Sequence, residues 1–132
     1  MRHSFALRVY YEDTDLAGIV YHANYLKFIE RARTEWVRGL GVDQTALKAG
    51  GLVFAVRRIE ADYLRPARFD DELVVLTTAI TATGARILLA QEVLRGGTRL
   101  FVAQVTLVCL TDGGQVARLP AALRAKLAAT AP

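Results

Sequence analysis

The chain has 132 residues, of which 53% are hydrophobic and 23% are charged, and its formal net charge is +4. This length is sufficient for one hydrophobic core and short for two ordinary domains, so we expect one domain over residues 1–132. The basic residues are scattered rather than clustered, and we expect no nucleic-acid partner. The longest apolar stretch, Leu100–Leu110, falls short of the roughly 20 residues of a spanning helix, so we expect no membrane insertion.

Cysteine usage and the N-terminal residues indicate the compartment. Cys109 is the single cysteine, which excludes an intramolecular disulfide and is typical of a reducing environment. The first four residues lead into alternating strand residues without the apolar segment of a signal peptide. We therefore expect a cytoplasmic protein, in which Cys109 is a buried structural thiol on an apolar strand.

The first half of the chain predicts one strand and one long helix. Alternating β-formers predict a strand over Phe5–Glu12. Asn24 is a good N-cap for a helix from Asn24 to Leu40. Helical spacing places apolar residues on one stripe, which we expect to be buried: Tyr25, Ile29, Ala32, Trp36 and Leu40. We expect the opposite face to be solvated and partly ion-paired: Lys27, Glu30, Arg31, Arg33, Glu35 and Arg38.

The second half predicts a polar turn over residues 43–51, four long strands and a short closing helix. The strands are expected over four ranges: Leu52–Leu64, Glu72–Thr83, Arg86–Arg95 and Thr98–Thr111. Short turns marked by glycine make neighbouring strands antiparallel. The closing helix is expected over Ala121–Ala129. Because one long helix has only the sheet to bury it, the sheet should curl around that helix, and dimerisation would protect the sheet edges.

The residues that could carry chemistry lie between the first strand and the long helix. The sequence has no Gly-x-Ser-x-Gly elbow, no phosphate-binding glycine loop and no zinc-spaced cluster of Cys or His, so we expect no metal and no cofactor. Asp15 lies seven residues before His22, next to the predicted helix start. The free N–H groups and positive end of a helix favour a developing oxyanion.

Two runs of residues give the chain a resemblance to a known family: Asp13-Thr14-Asp15-x-x-Gly18-x-Val20-Tyr21-His22-x-x-Tyr25 and Phe28-x-Glu30-Arg31-Ala32-Arg33-Thr34-Glu35. They resemble the hotdog-fold acyl-CoA thioesterases of the 4-hydroxybenzoyl-CoA thioesterase type, and within these the Tol–Pal-associated subfamily. The resemblance extends from about Phe5 to Pro120. It implies an α+β fold, a five-stranded antiparallel sheet wrapped around one long central helix. It also implies hydrolysis of acyl-CoA thioesters to free acid and CoA, and a homodimer that pairs into a homotetramer.

The same resemblance assigns roles to individual residues. The catalytic carboxylate of the family corresponds to Asp15, and its supporting polar positions correspond to Tyr11 and His22. We assign substrate binding to three residues of the motif: Gly18, Val20 and Tyr21. Asp15 could attack the thioester carbonyl or could activate a water molecule, and the sequence leaves both routes open. The backbone N–H of His22, with that of a neighbour, is the expected oxyanion donor.

Two other functions fit parts of the sequence. A hotdog hydroxyacyl dehydratase would need a converging His and Glu in place of the Asp-x-Asp turn. A non-catalytic acyl-CoA-binding module would not need Asp15. The acyl group, and the choice between CoA and acyl carrier protein, stay open. Arginines that could contact the CoA phosphates are candidates only: Arg57, Arg58, Arg65, Arg68 and Arg86.

Overall fold

The structure is a computed structural model that describes residues 2–130, without the side chains of residues 129 and 130. Its described residues form five β-strands and three α-helices. In chain order the elements are β1 His3–Arg8, a 3₁₀ turn Tyr11–Asp13, α1 Asn24–Gly39, α2 Gln44–Ala49, β2 Leu52–Tyr63, β3 Glu72–Thr83, β4 Arg86–Arg95, β5 Thr98–Thr111 and α3 Ala121–Thr130. The strands form one antiparallel sheet in the order β1-β3-β4-β5-β2. The predicted α+β hotdog architecture is confirmed.

Helix α1 packs against β1, β3 and β4 and supplies the centre of the core. Its apolar stripe is buried as predicted at Tyr25, Ile29, Ala32 and Trp36, while Leu40 is half-buried at its end. The sheet contributes alternate residues such as Val75, Leu89 and Val105 to the same core. Cys109 is buried there too, and burial raises the pKa of its thiol. Among the described residues, no helix is both long and apolar enough to cross a membrane.

The predicted first strand, Phe5–Glu12, is wrong at its C-terminal end. The β1 ladder stops at Arg8, which pairs with the first residue of β3, Glu72. The chain then turns, because the Tyr10 N–H donates to Asp13 Oδ2 at 2.8 Å and the Asp13 N–H donates to the Tyr10 carbonyl at 3.0 Å. A side-chain oxygen that captures a backbone N–H competes with the ladder and ends the strand.

Three further predictions need correction. Asn24 is not the N-cap of α1: it is the first helical residue after Ala23, and its amide donates to the Asp13 carbonyl. The predicted polar turn contains α2, because Asp43 Oδ1 accepts from two backbone N–H groups and caps that helix. Arg33, expected on the solvated face of α1, is 9% exposed and donates into the core.

Candidate active site

Asp15 opens a tight loop between the 3₁₀ turn and α1. A bridge between Thr14 and Val20 closes the loop at its base, and the Asp15 N–H donates to the Ile19 carbonyl at 2.9 Å. The Gly18 N–H returns to the Asp15 carbonyl at 3.0 Å, and Gly18 has φ +80°, a left-handed conformation that favours glycine. Gly18 therefore allows the chain to turn here, and its predicted role in substrate binding stays a prediction.

Local hydrogen bonds orient the Asp15 carboxylate. Its Oδ1 accepts from the Ala17 N–H at 2.9 Å, which fixes the side-chain torsion. Oδ2 has no hydrogen-bond partner within residues 2–130. The carboxylate is exposed on the loop, so Oδ2 can reach a bound substrate or a water molecule.

The start of α1 is held against the 3₁₀ turn by the carbonyl of Asp13. This oxygen accepts from the Tyr21 N–H at 2.9 Å and from Asn24 Nδ2 at 2.8 Å. Across the described chain, no backbone carbonyl outside the helix accepts from the N–H groups of His22 and Ala23. These two groups are therefore free at the positive end of α1, as oxyanion binding requires.

Aromatic side chains from β2 and β5 form the wall beside the helix start. Tyr63 donates from its hydroxyl to the His22 carbonyl at 2.9 Å. Tyr25 stacks on Phe101 with ring centroids 4.9 Å apart, and Tyr63 meets Phe101 edge-on at 5.0 Å. Burial raises the pKa of Tyr25, so its hydroxyl stays protonated, and its oxygen accepts from the Ala67 N–H at 3.1 Å.

These elements enclose a pocket of about 400 Å³ that contains both predicted chemical groups. Its lining comprises Asp15, Ile19, Val20, His22, Tyr25, Tyr63, Leu64, Arg65 and Pro66. Two larger hollows, of about 590 and 670 Å³, lie elsewhere and contain neither Asp15 nor His22. The convergence of a carboxylate, free amides and an apolar wall, rather than volume, makes the smaller pocket the candidate site.

The structure brings together some of the residues predicted from sequence and separates others. Asp15, Val20 and His22 line the pocket. Tyr21 lies beside it, with its ring centroid 4.6 Å from that of His22. Tyr11 is 83% exposed and packs edge-on against Phe69, away from the pocket wall. In the described residues, no group of three or more His, Cys, Asp or Glu side chains could hold a metal ion.

Tyr63 is the contact that sequence reasoning missed. It lies 41 residues after His22, at the end of a predicted strand where tyrosine is common. The separation along the chain gives no spacing signal, because the contact depends on how β2 returns past α1.

A five-stranded sheet packed on one long helix, with a carboxylate and free backbone amides beside the helix start, is the arrangement of a thioesterase of hotdog fold. A profile of the thioesterase-like superfamily matches residues 9–127, and the chain belongs to that family. It is 46% identical over 111 residues to the acyl-CoA thioesterase YbgC of Haemophilus influenzae, covering 83% of this chain and 82% of that protein. It is 43% identical over 105 residues to the acyl-CoA thioester hydrolase YbgC of Escherichia coli O157:H7, covering 79% and 78%. The crystal structure of a probable thioesterase from Bartonella henselae superposes with a TM-score of 0.88 at 40% identity, covering 91% of this chain and 100% of that one. The resemblance found in the sequence is confirmed.

Proposed function

We propose that the protein hydrolyses acyl-CoA thioesters to free acid and CoA in the pocket between the Asp15 loop and the start of α1. The observation that carries this proposal is that a carboxylate, Asp15, shares a pocket with His22, whose N–H group and that of Ala23 are unpartnered at the start of α1. Acyl transfer needs both parts: a nucleophile or base, and donors for the oxyanion. The names of the relatives agree with this substrate class.

Bond changes can proceed by two routes that use the same groups. In one, an Asp15 oxygen bonds to the thioester carbon, the C–S bond breaks, and water then hydrolyses the mixed anhydride. In the other, water forms the new C–O bond while Asp15 accepts its proton. In both routes the N–H groups of His22 and Ala23 stabilise the carbonyl oxygen. The sulfur leaves as a thiolate without strong acid assistance, since thiols have a pKa of about 8.5.

The acyl group would lie against the apolar wall of the pocket. Ile19, Val20, Leu64 and the Tyr25 ring supply that wall, and 400 Å³ is near the lower end of ligand-pocket volumes of about 300–1,000 Å³. We therefore expect short aliphatic or single-ring aromatic acyl groups to be preferred. Arg65 lies at the rim, where a cation would attract the phosphates of CoA or of the phosphopantetheine on acyl carrier protein.

The assay is thiol release from a panel of acyl-CoAs and acyl carrier protein thioesters, followed with Ellman's reagent. Cys109 should give little background, because it is buried and burial raises its pKa. Asp15→Asn should lower kcat by at least about 10²-fold, the low end for general-base catalysis. The matched control is Glu12→Gln, an exposed carboxylate on the same segment. Folded Asp15→Asn with near wild-type turnover would refute the proposal.

His22 separates backbone catalysis from side-chain catalysis. His22→Ala removes the imidazole and keeps the backbone N–H, the proposed oxyanion donor, so its kcat should fall less than that of Asp15→Asn. A larger loss for His22→Ala would make the imidazole the principal base instead. Both variants should keep the wild-type melting temperature, because both side chains are exposed.

We also propose a cytoplasmic homodimer that pairs into a homotetramer. The 12-residue strand β2 is an edge of the sheet and ends at Tyr63, beside the pocket, so edge-to-edge pairing would cover it. Half-buried Leu76, Leu88 and Leu94 lie on the sheet face turned away from α1 and suit a second interface.

Light scattering tests the assembly. The expected mass is two or four times the 14.5 kDa of one chain. Val56→Lys places a charge on exposed β2 and should shift the mass towards one chain. Val116→Lys, at an exposed position outside β2, should not. A single-chain mass for the wild type would contradict both the dimer and the tetramer.

A further inference from the structure

The segment Pro66–Asp71 lies between the Asp15 loop and the sheet and contacts the site at three points. The Ala67 carbonyl accepts from the Val20 N–H at 2.8 Å, and the Ala67 N–H donates to the Tyr25 hydroxyl at 3.1 Å. A bridge joins Arg68 to Ile19. Ala67 itself has no exposed surface. This segment therefore positions both the base of the Asp15 loop and the first turn of α1.

An ion pair between Asp71 and Arg95 holds the two ends of this segment together. Asp71 Oδ2 accepts from the Arg68 N–H at 2.8 Å and from Arg95 Nη1 at 2.7 Å. The same Arg95 nitrogen donates to the Pro66 carbonyl at 3.3 Å. One carboxylate oxygen and one guanidinium nitrogen thus join the two ends of the segment to β4. Burial alone would raise the pKa of Asp71, but the Arg68 N–H and Arg95 outweigh it and lower that pKa.

A neighbouring ion pair provides an internal comparison. Asp70 pairs with Arg8 on β1, where the side chains are 64% and 45% exposed, whereas those of Asp71 and Arg95 are 24% and 39% exposed. Exposed pairs of this kind contribute little, while a partly buried pair that also satisfies backbone groups holds a defined geometry. Asp70 also contacts nothing on the Asp15 loop. Its carboxylate is a matched control one residue away.

We propose that Asp71 and Arg95 are positioning residues for thioester hydrolysis, which fix the Asp15 loop relative to the free amides of α1 through Ala67. Neither residue lines the pocket, so we assign neither a contact with the reacting thioester. The proposal rests on the proposed function for its activity readout. We call the Asp71–Arg95 ion pair, with its hydrogen bonds to the Arg68 N–H and the Pro66 carbonyl, the clamp. Breaking the clamp should misplace the Asp15 carboxylate while the apolar wall of the pocket stays in place. A misplacement of about 1 Å can cost up to about 10²-fold in rate.

The test compares Asp71→Asn with Asp70→Asn. Both remove one charge, and asparagine tolerates the positive φ of residue 70, which is 71°. Asp71→Asn should lower kcat at least about tenfold with KM changed less than about twofold, and Asp70→Asn should leave both within about twofold. A merely structural role would lower both activity and melting temperature without this split between kcat and KM.

Arg95 supplies the rescue. Arg95→Met should match the loss in Asp71→Asn, Arg95→Lys should restore part of kcat by keeping the cation, and the double variant Asp71→Asn/Arg95→Met should lose no more than the worse single variant. Equal activity in all of these variants, or full additivity of the two losses, would overturn the proposal.

Amide hydrogen exchange tests whether the clamp holds the Asp15 loop, without an activity measurement. The Val20 N–H, bonded to Ala67, should exchange at least about tenfold faster in Asp71→Asn than in wild type, while the buried β5 amide of Val105 is unchanged. Unchanged exchange at Val20 refutes the clamp even if the enzyme is active. An inactive wild type with faster Val20 exchange in Asp71→Asn would instead refute the thioesterase proposal and leave the clamp intact.

Discussion

The guanidinium of Arg33 on α1 donates to Gln91 Oε1 on β4 at 3.0 Å, beneath the helix. The amide nitrogen of Gln91 is also hydrogen-bonded, because Nε2 donates to the Ile29 carbonyl and to Thr77 Oγ1, each at 2.9 Å. Within residues 2–130, no carboxylate forms an ion pair with Arg33. Burial accordingly lowers the pKa of Arg33 from its ordinary value. The core therefore holds a cation whose one side-chain acceptor is a neutral amide.

A double-mutant cycle on Arg33 and Gln91 should be strongly non-additive. Gln91→Leu leaves the buried guanidinium without its acceptor and should cost about 3–5 kcal/mol, as for breaking a buried charged pair. Arg33→Met leaves a neutral amide oxygen unsatisfied and should cost less, about 1–3 kcal/mol. The double variant should be more stable than the sum of the two costs implies. Urea unfolding measures all four proteins, and additive losses would show that the two side chains act independently.

Arg33 also shows what sequence patterns can and cannot predict. Period and turn residues correctly predict that there are five strands, the bounds of the last three, and the long helix with its stripe from Tyr25 to Trp36, because burial of apolar side chains sets those patterns. The same reasoning places Arg33 in solvent, since its acceptor on β4 lies 58 residues away. A charged residue on a helix face that is predicted to be solvated can still be buried when a neighbouring strand supplies an amide oxygen that accepts its hydrogen bond.

The candidate site likewise contains some residues that a local sequence motif predicts and others that only the tertiary structure brings there. Asp15, Gly18 and His22 lie within eight residues and follow from a local motif. Tyr63 and Ala67 reach the site through the return of β2 past α1, and the Asp71–Arg95 pair depends on the register between β3 and β4. Tertiary contacts of this kind leave no periodic signal. Tyr11, which the family motif links to Asp15, stays a predicted catalytic residue, although its ring packs on Phe69.

Tyr63→Phe should lower kcat by roughly 2- to 10-fold, the kinetic equivalent of one neutral hydrogen bond of about 0.5–1.5 kcal/mol. The variant keeps the ring that packs on Phe101 and removes the hydroxyl that donates to the His22 carbonyl. That carbonyl belongs to His22, whose N–H is one of the two proposed oxyanion donors, so the hydroxyl contact bears on the position of that donor. Steady-state kinetics on the best acyl-CoA measures the effect.

Tyr63→Leu is the companion variant, since it removes the ring as well. It should lower the melting temperature and raise KM, which Tyr63→Phe should not do, because the aromatic wall of the pocket is then lost. Equal kinetics for wild type and Tyr63→Phe would show that the hydroxyl contact has no part in positioning the helix start.

Acid should unfold the wild type more steeply than Asp71→Asn. The pKa of Asp71 is lowered in the folded state, so its contribution to stability is fully present above the unfolded pKa of about 3.9 and is lost as the pH falls through the folded value. Asparagine has no such titration. Melting temperatures measured from about pH 6 to pH 2.5 should therefore differ most near pH 6 and converge at the acid end. Asp70→Asn controls for the substitution itself, and a difference that grew with acid would reverse the sign and refute the assignment.

Trp36→Ala should destabilise the fold by about 3–5 kcal/mol, through lost burial and the cavity left under the sheet. Trp36 is 5% exposed and belongs to the same core as Phe28 and Ile29. Because a domain of this size has about 5–15 kcal/mol of stability, the loss could leave a sizeable unfolded fraction at 37 °C. Urea unfolding followed by circular dichroism measures it, since the variant lacks the only tryptophan. Trp36→Phe should recover much of the loss, because a smaller ring still fills part of the site.

Activity should fall in Trp36→Ala only in proportion to the unfolded fraction, with kcat per folded molecule unchanged. If the folded fraction stayed complete while kcat fell, Trp36 would act on the helix start itself, and α1 would couple the core to Asp15 more tightly than packing alone requires.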